Sequence, residues 1–117
     1  MSDNRKSARV PTLLRCWCEA DNVTLYARIA NLSEGGLFLR TSTPLARGAK
    51  AVLRLTPGDH PEVQAEATVV WLRDAEDKSY PPGMGLQFEE LDAETLGRLR
   101  RIISHQQKNP VKAVWAG

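Results

Sequence analysis

The chain has 117 residues, 42% of them apolar and 26% charged, with 16 basic residues against 14 acidic for a net charge of +2. This is the length of one domain with one core and the composition of an ordinary soluble globular protein. So even a balance excludes a generic nucleic-acid coat, whose affinity comes from many phosphate contacts, and leaves room only for a local anion site. No apolar run approaches the ~20 residues that span a bilayer. The opening MSDNRKSARV lacks the apolar segment of a signal peptide, so the expected location is the cytoplasm.

Residues 1–12 read as a flexible basic arm that enters the fold extended, because Pro11 biases Val10 towards extended backbone. A first strand is expected over 13–20. Cys16 and Cys18 fall on one face of it, at the edge of disulfide geometry, and read as reduced strand residues. Asp21-Asn22 is a turn signal, and the next strand runs over 23–32, with Leu25, Ala27 and Ile29 on one face and Tyr26 and Arg28 on the other. Gly35-Gly36 breaks that run, and a short strand follows over 37–40. Ala51, Leu53 and Leu55 mark a fourth strand, ended by the turn Thr56-Pro57-Gly58-Asp59. The longest strand is expected over 62–73. Val63, Ala65, Ala67, Val69 and Trp71 share one face, and Val70 and Leu72 lie opposite, so its far end reads as covered on both sides and Trp71 as core. A charged loop over 74–83 precedes a last strand over 85–89.

One helix closes the domain. Asp92 is its expected N-cap, with Leu91 and Leu96 placed for a hydrophobic staple and Leu96, Leu99, Ile102 and Ile103 on its apolar side. Pro110 stops it, which leaves 106–117 as a tail whose Val111, Val114 and Trp115 either dock on the domain or serve a partner. Six short strands and a terminal helix predict a mainly β fold, a small antiparallel barrel with the helix covering one side.

Two clusters carry chemistry. Arg5-Lys6-Ser7-Ala8-Arg9 lies in the arm, and Asn31-Leu32-Ser33-Glu34-Gly35-Gly36 lies at a strand-to-strand turn. Taken singly, the first reads as solvated charge and the second as a turn capped by its own side chains. Their order, Arg-x-x-x-Arg and then Asn-x-Ser-x-x-Gly after a strand–turn–strand, resembles the PilZ domain family. Leu37-Phe38-Leu39, Val70-Trp71, the run Gly83-Met84-Gly85-Leu86-Gln87-Phe88 and the closing helix agree with it. The resemblance covers about residues 4–103 and implies a six-stranded barrel that binds cyclic di-GMP, a bacterial second messenger, as a stand-alone member of the family.

The chemistry suits that ligand. Arginine offers a planar fork for phosphate oxygens or for the O6/N7 edge of guanine, and it stacks on bases. Short polar side chains such as Asn31 and Ser33 reach a ligand edge, and Gly36 permits close backbone approach. The resemblance therefore implies Arg5, Arg9, Asn31, Ser33 and Gly36 as ligand-binding residues, with Asn4, Lys6 and Gly35 as accessory ones, and an arm that orders on binding. Two positions depart from the family pattern: Asn31 stands where many members have Asp, and Asn4 where many carry a further arginine. The missing charge at Asn4 implies one ligand per chain rather than two.

No Ser-His-Asp arrangement, Walker-type phosphate loop or metal-spaced acidic cluster is present, so the chain reads as a binding module with no metal or cofactor rather than an enzyme. The resemblance then implies an output through an unidentified protein partner, with motility, adhesion and polysaccharide control the family's usual outputs. The competing expectation is an adaptor of the same family that docks partners without the nucleotide.

Overall fold

The computed structural model describes residues 9–58, 61–74 and 80–109. Period-two patterning folds as seven strands: β1 (Val10–Pro11), β2 (Arg15–Ala20), β3 (Val23–Leu32), β4 (Gly36–Arg40), β5 (Lys50–Leu55), β6 (Val63–Arg73) and β7 (Gly83–Phe88), followed by α1 (Ala93–Lys108). Every pairing is antiparallel. The circuit β2–β5–β6–β7–β4–β3 closes on itself because β3 pairs with β2 and with β4, which gives the expected six-stranded barrel without a free edge in the ring. β1 is additional. Val10 lies opposite Leu32 and Pro11 opposite Asn31, so the last residues of the arm are part of the sheet.

Alternate residues of each strand fill the interior. Cys16 and Cys18, Ile29, Leu37 and Leu39, Leu53 and Leu55, Val63 and Val69, and Met84 and Leu86 are all buried. Burying each of the larger aliphatic side chains is worth about 1.5–3 kcal/mol. Leu99, Ile102 and Ile103 of α1 join this core, and the helix packs on β6 and β1. Asp92 caps α1 by accepting from the Thr95 amide at 2.8 Å, and Leu91 just before it packs against the core. Both cysteines are free and buried. Burial pushes the Cys16 thiol up to about 12 and the Cys18 thiol up to about 11, so both stay protonated and inert. Among the described residues no helix is long and apolar enough to cross a membrane.

Strict alternation fails near the end of β6. The pairing with β7 shifts register between Val69 and Trp71, and the shift moves Trp71 off the inner face. Val69 is 1% exposed, but Val70, Trp71 and Leu72 are 39%, 41% and 41% exposed. Trp71 is therefore not a core residue, and this end of the strand is not covered on both sides.

Candidate functional site

The site begins with a second break in alternation. Along β3, Ala27 and Ile29 face inward and Arg28 outward, so an unbroken strand would turn Asn31 into the core and Leu32 to water. The pairing with β4 shifts register between Ile29 and Asn31, leaving Ala30 as the extra residue of a bulge. The bulge reverses the phase: Leu32 is fully buried, and Asn31 comes to the outside, half-buried, opposite Phe38.

On the other edge of β3, the chain arriving through β1 brings Arg9 to the same place. The Arg9 Nη1 donates to Asn31 Oδ1 at 2.5 Å, joining two residues 22 positions apart. Thr12 fixes this approach from inside. It is 2% exposed, its hydroxyl donates to the Ile29 carbonyl at 2.6 Å and accepts from the Leu14 amide at 3.0 Å, and its own amide donates to the Ala30 carbonyl. The buried hydroxyl thus pins the joint between β1 and β2 onto the bulge that presents Asn31.

Ser33 and Gly36 are differently placed. Ser33 is 2% exposed. Its hydroxyl donates to the Gly36 carbonyl at 3.4 Å and accepts from the Gly35 amide at 3.1 Å, while its own amide also donates to the Gly36 carbonyl. It does not share an exposed face with Asn31. Gly36 is buried against β7, where an added Cβ would stand 2.1 Å from the Leu86 carbonyl oxygen, so strand packing alone demands glycine there. Gly35 is exposed, and Glu34 accepts two hydrogen bonds from Arg100 of α1, at 3.1 and 3.3 Å, tying the turn to the helix. Arg5, Asn4 and Lys6 lie outside the described residues.

A cluster that sequence reasoning missed adjoins Asn31 on the outer face. Phe38 lies opposite Asn31, Gly85 opposite Phe38, and Trp71 opposite Gly85. Because Gly85 has no side chain, the indole lies over it and stacks on Phe38 at 5.0 Å between ring centroids. The Arg73 guanidinium rests among Phe38, Tyr80 and Trp71 at 4.5, 5.0 and 5.3 Å from their ring centroids, and donates to the Pro81 carbonyl at 3.1 Å. The only signals in sequence were the two glycines of β7 at alternate positions, since a sheet face without side chains invites a neighbouring aromatic ring. A depression of about 540 Å³ near the β2–β3 hairpin, lined by Glu19, Asp21, Glu66 and Lys50 among others, sits at the far end of β3 from Asn31. Its three carboxylates make it a poor seat for an anion.

A family model described as the PilZ domain matches residues 3–105. Among curated proteins no match is found. Among solved structures, the fold is similar to the Bacillus subtilis inhibitor of motility MotI/DgrA (TM-score 0.75, 18% identity, 92% of this chain and 53% of that one). It is similar also to the PilZ domain of YcgR from Escherichia coli with c-di-GMP (TM-score 0.72, 21% identity, 92% and 94% covered). A third is the K. pneumonia MrkH–c-di-GMP complex (TM-score 0.70, 19% identity, 90% and 53% covered). The chain thus spans about half the length of MotI/DgrA and of MrkH, and nearly all of the YcgR domain.

Proposed function

The chain belongs to the PilZ domain family, and from that premise we propose that it is a receptor that binds cyclic di-GMP on the outer barrel face around Asn31 and signals by docking a protein partner. The observation that carries this reading is the Arg9–Asn31 hydrogen bond. It brings one residue of each motif into contact, which supports a shared site although each motif alone has an ordinary structural explanation. Two of the structures similar in fold hold the same nucleotide.

In this reading Arg9 and Arg5 supply the guanidinium groups that grip phosphate or the guanine edge, and Asn31 contributes a carbonyl acceptor and an amide donor. Binding exchanges the Arg9–Asn31 bond for bonds from both residues to the ligand, so the site is held closed by a contact that the ligand can replace in kind. Ser33 and Gly36 serve by fixing the turn, with Gly35 exposed at its tip and available for close approach. The nucleotide is bound and released unchanged, so no bond is made or broken.

One observation favours the adaptor reading instead: the Ser33 hydroxyl and Gly36 are already fully accounted for by the turn and by β7. Calorimetric titration separates the two. The expected result is binding by the unmutated protein and a loss of about tenfold to hundredfold in Arg9→Ala and Asn31→Ala, corresponding to ~1.5–3 kcal/mol for a charge-assisted contact. No heat from folded, unmutated protein would overturn the receptor reading and favour the adaptor.

A further inference from the structure

The strand registers place three arginines abreast. Arg15 of β2 lies opposite Arg28 of β3, and Arg28 lies opposite Arg40 of β4. Cys16, Ala27, Ile29 and Leu39 face inward beside them, so all three point outward, neighbouring strands being about 4.8 Å apart. Like charges directly opposite destabilise a sheet. Yet the ion pairs among the described residues are Lys50–Glu89, Arg54–Glu19, Arg98–Glu94 and Arg100–Glu34, and none includes a member of this row. Arg28 adds a second cost, since its Nε is buried with no hydrogen-bond partner.

This row is one same-face step from the motif site. Asn31 lies opposite Phe38, and Arg40 follows two residues after Phe38 on the same face, about 6.8 Å along the strand. We propose that Arg28 and Arg40 are further ligand-binding residues. They take the phosphate or guanine edge at the end of the cyclic dinucleotide away from Arg9, while Arg15 adds charge from the flank. The inference rests on the cyclic di-GMP reading above and extends it. A ligand with two phosphates and two guanines needs cations at more than one point, and Arg9 supplies one corner. The Arg15 guanidinium lies 6.0 Å from the Tyr26 ring centroid, but no carboxylate among the described residues pairs with the row, so an anion settling between the guanidinium groups relieves their repulsion, and the site next door is the one read as binding an anionic ligand. Arg28 is half-buried between two strands and so held in place before the ligand arrives.

The test is calorimetry with cyclic di-GMP on the unmutated protein, Arg28→Gln, Arg40→Gln and Arg101→Gln, the last removing the same charge from α1, outside the row. Melting temperatures without ligand are measured alongside. The expected result is a loss of affinity of about tenfold or more for Arg28→Gln and Arg40→Gln and none for Arg101→Gln, with ligand-free melting temperatures equal to or above the unmutated value because a repulsion is removed. Unchanged affinity in both row variants, with the unmutated protein binding, overturns the inference and leaves the receptor reading standing. Equal losses in all three variants also overturn it, as would lower melting temperatures in both row variants, which mark a structural role. Tight binding of short single-stranded DNA that Arg40→Gln abolishes, with dinucleotide affinity intact, reassigns the row to nucleic acid. Absence of any dinucleotide binding by the folded, unmutated protein removes the receptor reading and this extension together.

Discussion

Cys16 and Cys18 show how a single side chain records its place. Both face the barrel interior, and burial raises them from the ordinary value of 9.0 to about 12 and about 11. Above pH 9 the unfolded chain releases protons that the folded chain keeps, so stability must fall as pH rises from 9 towards 11 or 12. The slope reaches at most about 1.4 kcal/mol per pH unit for each thiol. Denaturant melts at neutral and alkaline pH should show this decline, and the Cys16→Ala/Cys18→Ala double variant should show a shallower one. Equal slopes in the two proteins would mean that the thiols are not protected. At the same scale, Arg9 and Asn31 act as one unit. A double-mutant cycle on dinucleotide affinity should therefore give non-additive losses, with Arg9→Ala/Asn31→Ala worse than the sum of the single changes, because each single change also removes the Arg9–Asn31 bond that binding has to break.

At the scale of elements, two register shifts decide what the outer face presents. The one in β3 turns Asn31 out, and the one in β6 turns Trp71 out. The shift in β6 was not legible, because the apolar alternation runs on through Val69 to Trp71; in β3 the polar Asn31 at the inward phase, with Leu32 beside it, was the one signal, and a bulge costs only one unpaired residue. The elements themselves were legible: six strands and the helix fall where the alternation and the helical spacing place them, since one buried face enforces a strict period. The stacking of Trp71 over Gly85 yields a sharp expectation. An added Cβ would stand 2.0 Å from the indole nitrogen, so Gly85→Ala must displace the ring or the strand. It should cost ~1–3 kcal/mol by denaturant unfolding and redden the tryptophan emission as the indole leaves Phe38. Unchanged stability and emission would show that the stack is dispensable. Gly36 faces the β7 backbone itself, which cannot swing aside as the indole can, and alanine there should be worse still.

For the whole molecule, the barrel is a rigid frame whose interior is occupied by side chains, so a ligand has to bind on its outside. Binding outside a preformed barrel should stabilise it by mass action with little change in shape. At a cyclic di-GMP concentration a hundredfold above its dissociation constant the expected gain is about 2.7 kcal/mol, a rise of roughly 10 °C or more in melting temperature for a domain of this size. A thermal shift assay reads this directly, and an unmoved midpoint at saturation would contradict the receptor reading. The bidentate Arg100–Glu34 contact joins the motif turn to α1.

Composition, periodicity and turn residues by themselves determined the class of fold, the run of strands and the closing helix, because these follow from which residues must leave water and from local backbone chemistry, and the family came from the resemblance that the two motifs carry. The two motifs were visible as residues in order, which a linear reading preserves. What the linear order cannot contain is which strands become neighbours and in what register. Only the closed sheet set Arg9 against Asn31, lined up Arg15, Arg28 and Arg40 across three strands, and laid Trp71 across Gly85. It also gave Ser33 and Gly36 structural work that the sequence had offered to a ligand. The physical reason is that side-chain phase along a strand is fixed by local geometry, whereas a one-residue bulge, stabilised by distant partners such as the buried Thr12 hydroxyl, resets that phase for everything beyond it.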